Sequence, residues 1–269
     1  MKNRVFIICI LISFYSCRSQ VYQRNDLSFI FDKYQKEGAF FLYDLQNQQY
    51  HCNQPQRLNE GYLPASTFKI MNSLIGLESG VLNNKMEEFI WDGKQYPFQS
   101  WNTNHHLTSA FQNSVVWFYQ ELARRIGQSN MLKYLNEADY GNQNLSAGID
   151  IFWLEGGFRV TPHEQIQLMV RLYQEALPFQ KEHQKIVKKI MLQERTEDYS
   201  LYAKTGFVFR EEIKYGWWIG FIEQTHNTWF FVMLVDDQVN DREGKIRLTK
   251  EILRYLHVYP GPLTAKNNF

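Results

Sequence analysis

The densest apolar patterning lies in two runs toward the C-terminal end, Tyr215 to Ile222 and Thr228 to Val235. Their aromatic and β-branched residues, following a short run with Leu201, Tyr202 and Ala203, predict neighbouring antiparallel strands. A matching pair near the other end, Ala39 to Leu45 and Gln48 to Cys52, predicts two more strands, after a first helix within Asn25 to Lys36. Between these ends the spacing changes. Ile70, Met71, Leu74, Ile75 and Leu77 form a stripe near helical spacing, and Phe111, Val115, Phe118, Leu122 and Ile126 repeat it across Ser109 to Ile126. The predicted helical middle runs from Thr67 to about Gln193, and a last helix from about Lys245 to Leu256. Strands from both ends with helices inserted between them give an α/β arrangement: one antiparallel sheet flanked by a helical region, with a site between.

At 269 residues and 44% hydrophobic content the chain can bury a substantial core and is near the upper size of one domain. No repeat, low-complexity tract or glycine-serine linker marks an internal boundary. The net charge of +1 argues against a nucleic-acid partner. At the start, Met1-Lys2-Asn3-Arg4 is basic and Val5 to Phe14 is apolar but too short to span a bilayer, the pattern of an export signal. It ends at Phe14-Tyr15-Ser16-Cys17, which is similar to a bacterial lipoprotein cleavage site, although Phe14 and Tyr15 depart from the usual residues. The expected division is a signal peptide over 1–17, a short tether over 18–24 and one domain over 25–269. Lipidation of Cys17 would tether the protein to a membrane, with simple cleavage nearby as the rival. The expected location is the periplasm of a Gram-negative bacterium. Of three cysteines, Cys9 leaves with the signal and Cys17 is blocked, so Cys52 has no disulfide partner.

The chemistry centres on Ser66-Thr67-Phe68-Lys69, which opens a helix with a hydroxyl and an amine three residues apart, on the same face. A serine hydroxyl needs a nearby base to take its proton as it attacks, and Lys69 is placed to be one. A helix N-terminus also favours developing negative charge. Taken alone, the tetrad is a short pattern with many chance matches and favours the plainer reading, a hydroxyl capping a core helix while Lys69 reaches solvent. The motifs that follow change this. Ser114-Val115-Val116 comes next, and then Lys204-Thr205-Gly206 at the end of a strand. Ser-x-x-Lys, then Ser-x-Val, then Lys-Thr-Gly is the motif order of the serine penicillin-recognising enzymes.

Finer detail narrows the resemblance. With Ser114-Val115-Val116, Tyr140-Gly141-Asn142, Trp153-Leu154-Glu155-Gly156 and Tyr215-Gly216-Trp217-Trp218, the chain resembles the class D β-lactamases from about Asp26 to about Tyr259. The resemblance implies the β-lactamase/transpeptidase-like fold and hydrolysis of β-lactam antibiotics through a Ser66 acyl-enzyme. It also implies that Lys69 becomes N-carboxylated, so carbon dioxide or bicarbonate is the one small molecule needed beyond substrate. Phe68, Val116, Tyr119, Trp153 and Leu154 would form the apolar surround, with the Trp153 indole holding the carbamate. An apolar wall lowers a lysine pKa and so favours the neutral amine that carbon dioxide attacks.

By the same resemblance the oxyanion hole matches the backbone N–H groups of Ser66 and Phe207. Ser114 relays a proton, and Lys204 and Thr205 sit beside the leaving nitrogen and the substrate carboxylate, next to Gly206. Many family members bind that carboxylate with an arginine on the last helix. Here the arginine's place falls on Lys245, which leaves the anion partner open among Lys245, Arg242 and Arg247. Trp101 and Leu107 are candidates for a pocket wall. Substrate preference within the β-lactams and the choice between monomer and homodimer are left open.

Other residues invite plainer readings. Thr161-Pro162-His163-Glu164 reads as a capped helix start, with Glu164 committed to the cap and not to deacylation. His105-His106 has no helical His-x-x-x-His or matching cysteine set, so neither a metal nor an organic cofactor is expected. Trp217 and Trp218 read as strand packing. Two alternatives share the tetrad: a β-lactam sensor that acylates without turnover, and a peptidoglycan D,D-transpeptidase or carboxypeptidase. The extra domains usual to both are missing from this sequence.

Overall fold

A computed structural model describes residues 20–210, 214–237 and 239–261. The leader and Cys17 lie outside them. In chain order the first elements are β1 (Gln20–Gln23), α1 (Ser28–Lys33), β2 (Glu37–Asp44), β3 (Gln49–Cys52) and α2 (Lys69–Glu78). Next come β4 (Glu88–Phe89), β5 (His105–His106), α3 (Leu107–Gln112), α4 (Val116–Ile126), α5 (Gln128–Glu137), α6 (Pro162–Tyr173) and α7 (Lys181–Ile190). The chain closes with β6 (Leu192–Arg195), β7 (Tyr199–Phe209), β8 (Lys214–Gln224), β9 (Thr228–Asp236) and α8 (Arg242–Tyr255).

Among the described residues seven strands form one sheet in the order β1-β3-β2-β9-β8-β7-β6, so strands from the two ends of the chain meet where β2 pairs with β9. The expectation of a wholly antiparallel sheet is corrected at its edge. Gln20–Gln23, read from the sequence as tether, pairs in parallel with β3. Too little apolar patterning marks this four-residue strand, which exposes three of its residues.

Along β9, Phe230, Val232 and Leu234 face one core while Phe231, Met233 and Val235 face another. A strand buried on both faces reads as one continuous apolar run with no alternation, which is the pattern seen in the sequence. The first core joins the sheet to α2, α4, α6 and α7; the second packs it against α1 and α8 through Ile30, Phe31, Leu248 and Ile252.

The helical middle departs from expectation in three places. A two-stranded β4–β5 ribbon interrupts it, residues 141–161 form a long loop without helix, and the helix expected over Ser109 to Ile126 is broken. α3 ends at Gln112 and α4 starts at Val116, with Ser114 between them at φ 55°. Apolar spacing stays in phase across the break because both helices bury the same face, so periodicity does not reveal it.

Candidate active site

Ser66 sits on a 3-10 turn, Ala65–Phe68, that feeds directly into α2. The turn is braced from three sides. The Ala65 amide donates to the Trp153 carbonyl at 3.0 Å. The Thr67 hydroxyl donates to the Pro64 carbonyl at 2.7 Å and accepts from Gln165 Nε2 at 2.8 Å, and Gln165 Oε1 accepts in turn from the Tyr140 hydroxyl at 3.0 Å. On the third side Gly206 of β7 presses against it: a Cβ there would lie 3.0 Å from the Pro64 carbonyl oxygen and 3.2 Å from Thr67 Cγ2. Glycine therefore lets the Lys-Thr-Gly strand approach the nucleophile closely.

Lys69, one turn on, is fully buried, and its Nζ donates to Ser66 Oγ at 2.7 Å. Burial pulls its pKa down to about 7, so near neutrality much of the amine is uncharged. The Tyr119 ring lies beneath the nitrogen, 5.3 Å from centroid to Nζ, and the Tyr119 hydroxyl is held by Ser73. Trp153 is also fully buried, its ring stacked on Phe68 at 5.5 Å and 14°. Its indole Nε1 is buried without a hydrogen-bond partner among the described residues. A buried donor left unpaired costs about 1–3 kcal/mol and calls for an explanation.

The break between α3 and α4 presents Ser114, whose Oγ accepts from Lys204 Nζ at 3.0 Å; the same nitrogen donates to the Thr205 carbonyl at 3.0 Å. Burial holds Lys204 well below the usual lysine range, helped by the nearby positive charges of Lys69, Arg242 and Lys245. The three motifs, far apart in sequence, thus converge: the second and third through the Lys204–Ser114 hydrogen bond, the first and third through the packing of Gly206 against Pro64 and Thr67.

They open onto a cleft of about 340 Å³. Ser66, Ser114 and Val116 line it from the helical side, and Thr205, Gly206 and Phe207 from the sheet. Trp101 and Leu154 form walls, and Arg242 stands at the rim. Trp101 is fixed by its indole donating to the Asn113 carbonyl at 3.0 Å and by its carbonyl accepting from the Trp117 indole at 2.9 Å. Leu107, the other wall candidate, is fully buried in the core. Its place at the first turn of α3 points it inward.

The three candidate anion partners separate. Arg247 is exposed and does not line the cleft. Lys245 is fully buried behind β7 and β8, where its Nζ donates to the Gly206 carbonyl at 3.4 Å. It fills the room left by Gly216, whose Cβ would lie 2.4 Å from that nitrogen. Burial lowers its pKa to about 8.

Several contributors were not legible in the sequence. Phe98, Gln112, Asn113 and Asn240 line the cleft from loops and helix ends, where no periodicity marks them. Arg210, just past the end of β7, reaches the opposite wall by donating to the Leu154 carbonyl at 2.8 Å, with Glu155 at 3.2 Å. Gln165 did carry a signal, being a polar residue within the apolar stripe of α6.

The plainer readings hold where contacts decide them. Thr161 and Glu164 form a reciprocal capping box at the start of α6, with Pro162 at its first position. His105 is buried between Ser109 and the Ser100 carbonyl, and His106 caps α3. Among the described residues no group of three or more His, Cys, Asp or Glu side chains is placed to hold a metal ion. Trp217 is core, its indole donating to the Leu63 carbonyl at 2.9 Å. Cys52 is buried and free.

Comparison with known proteins agrees with this geometry. The penicillin binding protein transpeptidase domain family matches residues 35–256. The chain is 39% identical to β-lactamase OXA-48 of Klebsiella pneumoniae over 259 residues, covering 96% of this chain and 98% of that protein. It is also 39% identical to β-lactamase OXA-10 of Pseudomonas aeruginosa over 218 residues, 80% of this chain and 81% of that one. Among solved structures, FUS-1 (OXA-85), a class D β-lactamase from Fusobacterium nucleatum subsp. polymorphum, superposes with a TM-score of 0.85 at 33% identity, covering 89% of this chain and 100% of the other. A serine and a buried lysine at hydrogen-bond distance, 39% identity to OXA-48 over 96% of the chain and a fold shared with FUS-1 over 89% of it place this chain in the class D β-lactamases.

Proposed function

We propose that this protein hydrolyses β-lactams through an acyl-enzyme on Ser66, with Lys69 working as its N-carboxylated form. The observation that carries this reading is the combination of a fully buried Lys69 amine, 2.7 Å from Ser66 Oγ, with a buried Trp153 indole donor, its ring stacked on Phe68, that has no partner among the described residues. The surroundings suit a carbamate on Lys69. The amine is substantially neutral, Phe68, Tyr119 and Trp153 supply an apolar surround, and the Trp153 indole N–H is available to a new acceptor. When present, a carbamate there supplies a basic oxygen able to take a proton from a hydroxyl or a water.

The residues then divide the work. Ser66 Oγ attacks the lactam carbonyl carbon, and its bond to that carbon replaces the ring C–N bond, so the ring opens and the nitrogen must gain a proton. Ser114, held by Lys204, stands where it can deliver that proton. The backbone N–H groups of Ser66 and Phe207 are the donors for the oxyanion formed during attack. Water then cleaves the ester, frees Ser66 and leaves the ring-opened acid. Val116 and Leu154 limit how much solvent enters. Neither a metal nor an organic cofactor takes part. Residues 1–17 supply the remaining element, export to the periplasm with a lipid on Cys17 as a membrane tether; this rests on the leader sequence alone.

The test is a hydrolysis time course of a chromogenic cephalosporin with bicarbonate depleted and then restored. Sustained turnover that falls and recovers supports a carbamate-dependent hydrolase. A single stoichiometric burst that bicarbonate cannot extend overturns the hydrolytic reading in favour of a sensor or transpeptidase.

A further inference from the structure

Resting on that reading, we infer that the cation meeting the substrate's carboxylate is Arg242, at the first turn of α8, and that Lys245, one turn further along the same helix, has become a structural strut. Lys245 has no route to a ligand in the cleft. Its side chain is 0% exposed, its Nζ is committed to the Gly206 carbonyl, and the backbones of β7 and β8 lie between it and the cavity. Reaching a substrate would require Gly206 and Gly216 to move aside from a sheet in which both are paired through the β7–β8 ladder.

Arg242 has the opposite properties. Its side chain is exposed, and no hydrogen bond or ion pair engages its guanidinium among the described residues. It lines the main cleft together with Thr205, and it also lines an adjoining cavity of about 270 Å³ with Lys204, Thr205 and Gln112. It therefore stands over Thr205 at the junction of the two spaces. Its positive charge is near enough to act on Lys204. An anion placed against Thr205 would meet a guanidinium that has five donors and no ion-pair partner among the described residues, a geometry suited to bidentate binding. The matched ligand class is a β-lactam carrying a carboxylate on the ring fused to the lactam, with the anion directed along β7.

The experiment compares wild type, Arg242→Gln and Arg247→Gln on a chromogenic cephalosporin with its ring carboxylate free and on the methyl ester of the same compound. Arg247→Gln removes the same charge from the same helix, away from the cleft. The expected result is that Arg242→Gln raises KM for the acid at least about tenfold, as loss of a charge-assisted contact does. It should also flatten the dependence of that KM on salt while changing KM for the ester less than about twofold. Arg247→Gln should keep the wild-type ratio between acid and ester. An unchanged KM for the acid in Arg242→Gln, or an equal rise for acid and ester, overturns the inference. If wild type turns over neither compound, the hydrolytic reading fails separately. The concentration dependence of Ser66 acylation by the acid, followed by intact mass, then reports whether Arg242→Gln weakens binding.

Discussion

The Ala65 amide donates a hydrogen bond to the Trp153 carbonyl at 3.0 Å, so the loop holding the buried indole is fastened to the turn holding the nucleophile. That fastening fixes where the unpaired indole donor sits relative to Lys69. Trp153→Phe keeps an aromatic ring against Phe68 and removes only the donor and some volume. Stability should change by less than about 2 kcal/mol. Turnover at ambient carbon dioxide should fall by about a hundredfold or more, with partial recovery as bicarbonate is raised. A bicarbonate titration of kcat checks it, and a loss that bicarbonate never relieves would sink the proposed role of the indole.

The buried amine also makes a prediction about stability. Folded Lys69 titrates near 7, against an ordinary value of 10.5. Below pH 7 both folded and unfolded chains carry the proton, and the cost of burying the charge is felt in full. Between about 7 and 10.5 the unfolded chain holds more protons, so native stability rises with pH by up to about 1.4 kcal/mol per unit. Lys69→Met removes this cost. In carbonate-free buffer it should be the more stable protein by several kcal/mol at pH 6, with the gap closing toward pH 10, while hydrolysis is lost. Urea denaturation of both proteins across that range is the measurement.

Ser114 adopts φ 55°, a conformation natural to glycine, in order to meet Lys204. Ser114→Gly relieves the backbone and deletes the hydroxyl. Its melting temperature should stay close to wild type, since relief of strain and the added freedom of the unfolded chain nearly offset at about 1 kcal/mol each. Acylation should slow by about 10²–10⁴-fold, the range for loss of a positioned proton-transfer group. Stopped-flow acylation alongside calorimetry separates the two effects.

Gly206→Ala would place a methyl 3.0 Å from the Pro64 carbonyl and 3.2 Å from Thr67 Cγ2, so β7 or the nucleophile turn must shift by a few tenths of an ångström. The fold should survive, because the rest of the β7–β8 ladder is untouched. Catalysis should fall by about tenfold or more, because small displacements of reacting groups are costly. Comparable kcat in the variant would show that the close approach is not needed.

Sequence reading captured the five long or apolar strands β2, β3, β7, β8 and β9 and the three motifs because both depend on local signals, but it missed the short, largely exposed edge strands β1 and β6. It did not capture features defined by three-dimensional closure. Ser114 looked helical because α3 and α4 bury one face, and the left-handed residue between them has no side-chain signature. Lys245 and Arg242 are three positions apart on one helix and indistinguishable as cations in a list of letters. Only the backbone of β7 and β8 shows that one is sealed away and the other open. The Tyr140–Gln165–Thr67 chain of hydrogen bonds joins residues nearly a hundred positions apart, so only the odd polarity of Gln165 hinted at it.

The pairing of β2 with β9 puts residues such as Phe40 and Met233 side by side, although almost the whole domain separates them in sequence. A chain made from its N-terminus holds β2 and β3 as an incomplete hairpin until the last strand arrives, and loop closure over that length slows the final assembly. The nucleophile turn is synthesised early, yet β7, which supplies Lys204 and Gly206, is among the last elements made. The protein therefore gains no reactive serine site until synthesis is nearly complete, and truncation before β9 would leave an exposed, aggregation-prone edge in place of a weakened enzyme.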